Sequence, residues 1–208
     1  MSEKFVLRST VTSPFGRKVR MTIDVLGLAD RVTLEPANTR DEHDTLRLQN
    51  PLGKMPCLML ADGTALFDSR VIIEFLQDVA GATRLLPPSG LIRYKMLTRA
   101  ALADGIMDAA LLVVYETRFR DTGTYSDRFL THQRGKITRA LASFEAAPPA
   151  STATDIVSIG LACALGYLDQ RRPVDWRPAY GGLAAWLDAF RRHEPAFDNT
   201  FAAFADQP

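Results

Sequence analysis

The spacing of apolar positions divides the chain into two parts with different secondary structure. In the first part, short extended runs alternate with stretches of helical spacing. An amphipathic helix is predicted after Ser13 and another after Asp68, and Asp62-Gly63 predicts a hairpin between the two runs that flank it. Strands are predicted near residues 4–9, 31–35, 57–60 and 65–67.

The predicted order over residues 1–80 is βαβαββα, which is one α/β domain with a mixed four-stranded sheet. The helix between the first two strands makes them parallel, and the hairpin makes the last two antiparallel. Residues 41–49 are polar, with only Leu46 and Leu48 as apolar anchors. This segment is therefore expected to be at most a short exposed helix.

A linker at residues 81–90 contains Gly81 and the turn-forming run Pro87-Pro88-Ser89-Gly90. Residues 91–208 show helical spacing without a strand pattern, so they predict an all-helical domain. Its helices are expected over residues 91–118, around 129–144, from 156 onward and around 183–190.

The helix from Ile156 is almost wholly apolar and should be the buried centre of this second domain. Thr152 followed by Asp155 predicts a capping box at its start, with Asp in place of the commoner Glu. The short tail after Glu194 is expected to pack through an aromatic residue: Phe197, Phe201 or Phe204.

Charge and hydropathy exclude several kinds of partner. The chain has 25 basic and 24 acidic residues, mixed along its length, for a formal net charge of +1. No basic field therefore marks a surface for nucleic acid or an anionic membrane. No apolar run approaches the ~20 residues that span a bilayer, and no signal-peptide pattern opens the chain. We expect a cytoplasmic protein with neither nucleic acid nor a membrane as partner.

Cysteine and histidine spacing gives no sign of metal or dithiol chemistry. Cys57 and Cys163 lie far apart in apolar runs without a CxxC pair. His43, His132 and His193 are isolated among polar residues, with no ligand spacing between them. No metal is therefore expected, and the cysteines are expected to be small buried hydrophobic residues.

Ser13-Pro14 lies at the junction between the first strand and the first helix. A serine oxygen accepts an otherwise unpaired amide of the first helical turn, and a proline has no amide to leave unpaired there. The residue pattern leaves two roles open for Ser13: a helix cap only, or a hydroxyl that also takes part in chemistry.

Four short strings carry a family resemblance. They are Ser13-Pro14-Phe15 followed by Arg17 and Arg20, Asn50-Pro51 with Lys54-Met55-Pro56, Asp68-Ser69, and Thr152 to Asp155. With the predicted domains, they resemble the cytosolic glutathione S-transferase family, in particular its serine-type members of plant-like and related bacterial classes. The resemblance covers essentially the whole chain and implies a thioredoxin-like fold for the first domain.

The resemblance also implies glutathione as the co-substrate and places its binding residues at Lys54, Met55, Pro56, Asp68 and Ser69, with Pro56 in cis. The backbone of Met55 would pair with this extended peptide as an added strand. Asp68 and Ser69 would hold the α-amino and α-carboxylate groups, and Lys54 the glycyl carboxylate. Without the resemblance, a strand-entry proline, helix capping and a solvated lysine explain the same residues.

Ser13 is the implied catalytic residue. A free thiol with a pKa of about 8.5 is only a few per cent thiolate at neutral pH, and the thiolate is the nucleophile. A hydrogen bond to a charged group contributes roughly 1.5–3 kcal/mol, which corresponds to about one to two pKa units. We expect Ser13 to donate such a bond and not to act as a nucleophile. Thr10 and Thr12 are nearby hydroxyls that remain alternatives.

The electrophile is expected to be small and hydrophobic and to bind between the two domains. Residues of an ordinary helical core have the same spacing, so a purely structural role stays open. The pocket residues expected are Phe15, Asp104, Met107, Asp108, Leu111 and Tyr115.

The leading hypothesis is a homodimeric glutathione transferase that adds glutathione to such an electrophile. The scaffold also serves isomerisation, dehalogenation and peroxide reduction, so these reactions are alternatives. Thiol-disulfide exchange is less favoured because position 13 holds serine and not cysteine. A non-catalytic, transferase-like regulatory or binding protein remains a second class of hypothesis, since only Arg40 or Lys54 is an obvious ligand for the glycyl carboxylate.

Overall fold

The structure, a computed structural model, describes residues 3–201, and the chain forms two compact units. One unit runs Pro87–Pro195, so the first division falls inside the predicted linker. The other contains the described residues up to Leu86 and also residues 196–201. Residues 196–201 thus belong to the first unit, although the predicted helical domain extends over residues 91–208.

A mixed four-stranded sheet forms the first unit, as predicted. Its strands are β1 Phe5–Ser9, β2 Val32–Pro36, β3 Cys57–Met59 and β4 Ala65–Leu66. They lie in the order β2-β1-β3-β4. Strand β1 is parallel to β2 and antiparallel to β3, and β3 is antiparallel to β4. The helices before the linker are α1 Pro14–Val25, α2 Leu46–Gln49 and α3 Ser69–Val79.

The core of this unit uses the predicted periodicities. Phe5 and Leu7 lie two residues apart on β1, and Ile72 and Leu76 lie four apart on α3, so each pair shares one face of its element. All four side chains are at most 1% exposed. The Phe5 ring meets the Phe75 ring edge-on, with centroids 5.6 Å apart. Packing between sheet and helix therefore follows the apolar pattern of the sequence.

The polar segment between β2 and β3 is anchored by a buried arginine. Arg8 of β1 is 3% exposed, although its charge predicts exposure. Its guanidinium donates hydrogen bonds of 2.8–2.9 Å to Asp44, Thr45 and Gln49. The predicted short helix is α2, and its Leu46 is buried. The segment is therefore fixed to the sheet by polar contacts that apolar spacing does not indicate.

The second unit is helical throughout its described secondary structure. Its helices are α4 Gly90–Phe119, α5 Asp127–Ala146, α6 Ile156–Arg171 and α7 Gly181–His193. Every residue of α6 from Ile156 to Leu168 is buried, with α4 and α7 packed against α6 and α5 packed against α4 and α7. The prediction of a buried central helix is confirmed.

The capping box of α6 lies three residues later than predicted. Asp155, and not Thr152, is the N-cap, and its carboxylate accepts the amides of Val157 and Ser158 at 2.8 and 2.9 Å. The hydroxyl of Ser158 accepts the amide of Asp155 at 2.9 Å in return. Asp155 has extended backbone angles, which direct its short carboxylate at both free amides. The Thr152 prediction was wrong for this reason.

The last helix among the described residues is α8 Ala196–Asn199, which packs on α1. Phe197 is 2% exposed and Phe201 is 42% exposed. Phe204, also predicted as an anchor, lies outside the described residues. Within residues 3–201, no helix combines the length and the hydropathy needed to cross a membrane.

Candidate active site

Three of the four strings singled out in the sequence meet at one edge of the sheet. Because β3 is antiparallel to both β1 and β4, its start lies beside their ends. Ser13 follows the end of β1, Met55 precedes the start of β3, and Asp68 follows the end of β4. The topology therefore places these three residues on the same side of the first unit.

Ser13 is the N-cap of α1, as predicted. Its Oγ accepts the amide of Gly16 at 3.1 Å. An oxygen that accepts a hydrogen bond in this way keeps its own proton to donate, and no acceptor among residues 3–201 takes that proton. The two roles left open for Ser13 are therefore compatible with each other.

A close approach between α1 and β1 fixes the position of the Ser13 loop. A Cβ atom added at Gly16 would lie 1.9 Å from the Oγ of Ser9, a residue that is completely buried. Only glycine permits this contact without displacement of its neighbour. The helix start is therefore held against the end of the strand from which the loop departs.

The alternative hydroxyls have partners of their own. Thr10 Oγ1 lies 3.3 Å from Thr12 Oγ1, and it donates to the sulfur of Met55 at 3.4 Å. The Ser13 amide donates to the Thr10 carbonyl at 3.3 Å. The loop is thus tied to Met55, the residue before Pro56. Among these three hydroxyls, that of Ser13 donates no hydrogen bond to another described residue.

The Met55–Pro56 peptide bond is cis, as the resemblance implied. In the described part of the chain, no hydrogen bond engages the backbone amide or carbonyl of Met55. The loop before it is held by Asn50, which is 2% exposed and donates to the Lys54 carbonyl at 2.7 Å. The Lys54 side chain itself is exposed. This arrangement offers a free backbone edge for an extended peptide.

Asp68 and Ser69 begin α3. The Asp68 carboxylate accepts the Arg70 amide at 2.9 Å and pairs with the Arg70 guanidinium at 2.8 Å. Burial raises the pKa of Asp68, but hydrogen bonds from Arg70 and the charges of Arg70 and Lys18 outweigh burial and hold that pKa below its ordinary value. An anionic acceptor is therefore present at this helix start.

Ser69 is 2% exposed, and neither its amide nor its hydroxyl has a hydrogen-bond partner among residues 3–201. The positive end of α3 also favours negative charge at this point. The Asp68–Ser69 pair can therefore hold a cationic and an anionic group side by side.

Comparison with known proteins identifies the family of this chain. Residues 12–79 match the family described as glutathione S-transferase, N-terminal domain. The uncharacterized GST-like protein YibF of Escherichia coli K12 is 36% identical over 172 residues, which are 80% of this chain and 83% of YibF. The chain belongs to the glutathione S-transferase family.

Two solved structures from Pseudomonas fluorescens Pf-5 extend the match to nearly the full length. Both are of a glutathione transferase family member, one with bound glutathione and one with bound S-(propanoic acid)-glutathione. Each is 39% identical and covers 96% of this chain and 100% of that one, with TM-scores of 0.90 and 0.85. The predicted two-part transferase fold is thereby confirmed.

The residues predicted for the electrophile pocket of this transferase-family chain are distributed over both units. Phe15 is half-buried on α1. The other five lie on α4, where Met107 is fully buried and Asp104 is 6% exposed. Asp108 is exposed, while Leu111 and Tyr115 are half-buried. Their role in substrate binding stays a prediction, and the burial of Met107 also fits a core position.

Sequence reasoning did not single out Lys18. It lies on α1, is 1% exposed, and acts through its charge on the carboxylate of Asp68. A lysine is rarely buried, so helical spacing gives no reason to place it inside. The only signal is the density of positive charge on α1 at Arg17, Lys18 and Arg20. Among the described residues, no group of three or more His, Cys, Asp and Glu could hold a metal ion.

Proposed function

We propose that the protein is a glutathione transferase that adds the glutathione thiolate to a small hydrophobic electrophile. The observation that carries the proposal is the convergence, at one sheet edge, of three groups. These are a hydroxyl with a free proton at Ser13, an unpaired backbone at Met55 and a charged helix start at Asp68. Each group complements a different part of glutathione.

In this proposal the first unit binds glutathione as an extended peptide. The cysteinyl backbone pairs with the amide and carbonyl of Met55. Asp68 accepts the γ-glutamyl α-amino group, and the amide and hydroxyl of Ser69 donate to its α-carboxylate. Lys54, which is exposed, binds the glycyl carboxylate, with Arg40 as the alternative. No metal is needed for any of these contacts.

Ser13 then donates a hydrogen bond from its hydroxyl to the thiolate sulfur and keeps its proton, and the positive end of α1 also favours the negative charge. The sulfur attacks the electrophilic carbon, so an S–C bond forms. Either a leaving group departs with the displaced electron pair, or an activated double bond takes up a proton. The Pseudomonas protein binds both glutathione and a derivative substituted on sulfur, which supports this reaction class.

The electrophile is proposed to contact Phe15 of the first unit and the half-buried or exposed positions of α4, namely Asp108, Leu111 and Tyr115. A reducing compartment such as the cytoplasm suits the two cysteines, which are buried and not joined in a disulfide. The identity of the electrophile decides between conjugation and the other glutathione-dependent reactions of this scaffold.

A calorimetric titration with glutathione at neutral pH tests the binding part. We expect saturable binding of one glutathione per chain. Asp68→Asn should weaken it roughly ten- to a hundred-fold, because a charge-assisted hydrogen bond of about 1.5–3 kcal/mol is lost while asparagine keeps the helix cap. Asp62→Asn is the matched control, since Asp62 likewise accepts a nearby amide, that of Thr64, in an exposed turn.

The control variant should bind glutathione like the unaltered protein and form a thioether with small hydrophobic electrophiles at the same rate. No binding at millimolar glutathione would refute the proposal and favour the non-catalytic alternative. Binding without thioether formation would favour another glutathione-dependent reaction.

We also propose that the protein is a homodimer. Each unit exposes several large apolar side chains, and exposed apolar surface is typical of contact surfaces where it is contiguous. They are Leu48, Leu52 and Val71 in the first unit, and Leu91, Ile92 and Tyr94 in the second.

Sedimentation velocity should give the mass of a dimer, and Leu52→Lys should shift the distribution toward the monomer, because it buries an unpaired charge at the interface. Leu112→Lys, an exposed apolar position farther along α4, should leave the dimer intact. A monomer for the unaltered protein would contradict the proposal.

A further inference from the structure

The C-terminal segment, defined as residues 196–201, is built into the first unit by a buried arginine. The guanidinium of Arg17 is 4.0 Å from the ring centre of Phe197 and 4.8 Å from that of Phe201. It also donates to the Phe197 carbonyl at 2.7 Å and to Thr200 Oγ1 at 3.5 Å. Arg17 is 4% exposed and Thr200 is 7% exposed. The C-terminal segment is therefore packed on α1.

A second arginine connects this segment to the loop that carries Ser13. One nitrogen of the Arg20 guanidinium donates to the Thr200 carbonyl at 3.3 Å, and the other donates to the Val11 carbonyl at 2.9 Å. Val11 lies two residues before Ser13. Arg20 thus joins two backbone carbonyls, one from the C-terminal segment and one from the Ser13 loop.

We propose that the C-terminal segment positions Ser13 through Arg20. Arg17 fixes the segment on α1, the segment fixes the Thr200 carbonyl, and the Thr200 carbonyl orients the planar guanidinium that holds Val11. Arg17 and Arg20 are positioning residues in this scheme, because they act on the thiolate only through the loop. The inference deepens the proposed function and rests on it for its catalytic consequence.

The close approach of Gly16 to Ser9 holds the helical end of the Ser13 loop, whereas the part of the loop around Val11 is held by the Arg20 hydrogen bond. The Ser13 amide bonds within the loop, and the Thr10 hydroxyl contacts a flexible methionine sulfur. The planar guanidinium of Arg20 fixes two acceptors with little loss of freedom per bond, because its donors have a rigid arrangement. A hydrogen bond from Ser13 to a thiolate weakens steeply when its geometry is disturbed. Small displacements of Val11 should therefore weaken the hydrogen bond between Ser13 and the thiolate sulfur.

Hydrogen exchange of the ligand-free protein tests the positioning step without glutathione. Arg20→Met removes the bridge, and Phe197→Ala loosens the C-terminal segment at a position remote in sequence from the loop. Both should speed amide exchange in the peptide covering residues 10–16. Arg31→Met is the matched control: Arg31 also bonds a backbone carbonyl, that of Glu3, and lies 5.2 Å over a Phe ring. It should leave exchange in residues 10–16 unchanged.

The ultraviolet absorbance of bound glutathione thiolate, followed against pH, tests the catalytic consequence. Arg20→Met and Phe197→Ala should each raise the pKa of the bound thiol by about half a unit, a threefold loss of thiolate below that pKa. Arg20→Lys keeps a single donor group, so the thiol pKa should rise less than in Arg20→Met. Arg31→Met should leave the thiol pKa unchanged. A merely structural role would lower stability without this graded change in pKa.

Several outcomes would overturn the inference. If Arg20→Met alters exchange and pKa but Phe197→Ala alters neither, Arg20 acts without the segment. If Phe197→Ala does not fold, Phe201→Ala, at the more exposed ring, replaces it in the same comparison. Failure of the unaltered protein to bind glutathione would refute the proposed function, and the exchange measurement would still decide the positioning of the loop.

Discussion

Replacing Ser13 with alanine is expected to raise the pKa of the bound glutathione thiol by about one to two units and to slow conjugation at neutral pH roughly ten-fold or more. The reason is the loss of a hydrogen bond to a charged sulfur, worth roughly 1.5–3 kcal/mol, at about 1.4 kcal/mol per pKa unit. Thiolate absorbance against pH measures the shift directly, and initial rates with a small electrophile measure its consequence.

The sign of the pH effect follows from the charge of the species that is stabilised. Ser13 favours the thiolate, so it lowers the thiol pKa, and its loss moves the rise in activity to higher pH. At a pH well above the shifted pKa, the variant and the unaltered protein should have similar thiolate fractions. A rate deficit that stays constant over the whole pH range would therefore contradict this role.

Hydroxyl chemistry and helix capping can be separated with further variants. Ser13→Thr keeps both the oxygen that caps Gly16 and the proton that can be donated, so it should retain most of the pKa depression. Ser13→Gly keeps a tolerable cap and loses the hydroxyl, so it should behave like alanine in thiol pKa with a smaller loss of stability. Thr10→Val and Thr12→Val should leave the thiol pKa unchanged. A raised thiol pKa in either variant would show that the threonine replaced there is the hydrogen-bond donor to the thiolate.

The sequence was informative where local chemistry alone determines structure. Ser13-Pro14 predicted the start of α1, and Asp62-Gly63 predicted the β3–β4 hairpin, since each signal depends on backbone geometry within a few residues. The apolar run from Ile156 likewise predicted a buried helix. These elements were correct because neighbouring residues suffice to specify them.

Long-range polar contacts were not predictable in the same way. Arg17 and Lys18 are charged and adjacent, yet both are buried. Helix α8 covers Arg17, and the charge of Lys18 acts on the carboxylate of Asp68. The sequence separation between Arg17 and Phe197 is 180 residues, and no local pattern records that pairing. The position of the α6 cap was missed for a subtler reason, since Thr152 and Asp155 are both good caps and backbone angles decided between them.

Arg8→Met should cause a large loss of stability. The arginine is buried, and its guanidinium lies 2.9 Å from the Asp44 carboxylate, which is itself 11% exposed. Removal of one partner of a buried ion pair typically costs about 3–5 kcal/mol, and the amides of Asn38 and Leu46 that still donate to the Asp44 carboxylate place this loss at the lower end of that range. Urea denaturation should show this loss in the free energy of unfolding.

Arg47→Met provides the matched control for Arg8→Met. Arg47 belongs to the same segment and bonds the Asp41 and Thr39 carbonyls, but it does so at the surface. A surface substitution of this kind should change the free energy of unfolding by no more than about 0.5 kcal/mol. Equal losses for Arg8→Met and Arg47→Met would show that the buried pair has no special role.

The pH dependence of stability gives an independent check on the Arg8–Asp44 pair. The amides of Asn38 and Leu46 and the charge of Arg8 outweigh burial and lower the pKa of Asp44 below its ordinary value. A carboxyl with a depressed folded-state pKa contributes its full stability above its unfolded pKa of about 3.9 and loses it as the pH falls through the lower folded value. Arg8→Met removes one of these causes, so the loss of stability on acidification should be complete nearer the unfolded pKa and be smaller in total. An acid profile parallel to that of the unaltered protein would mean that the backbone amides alone set the pKa of Asp44.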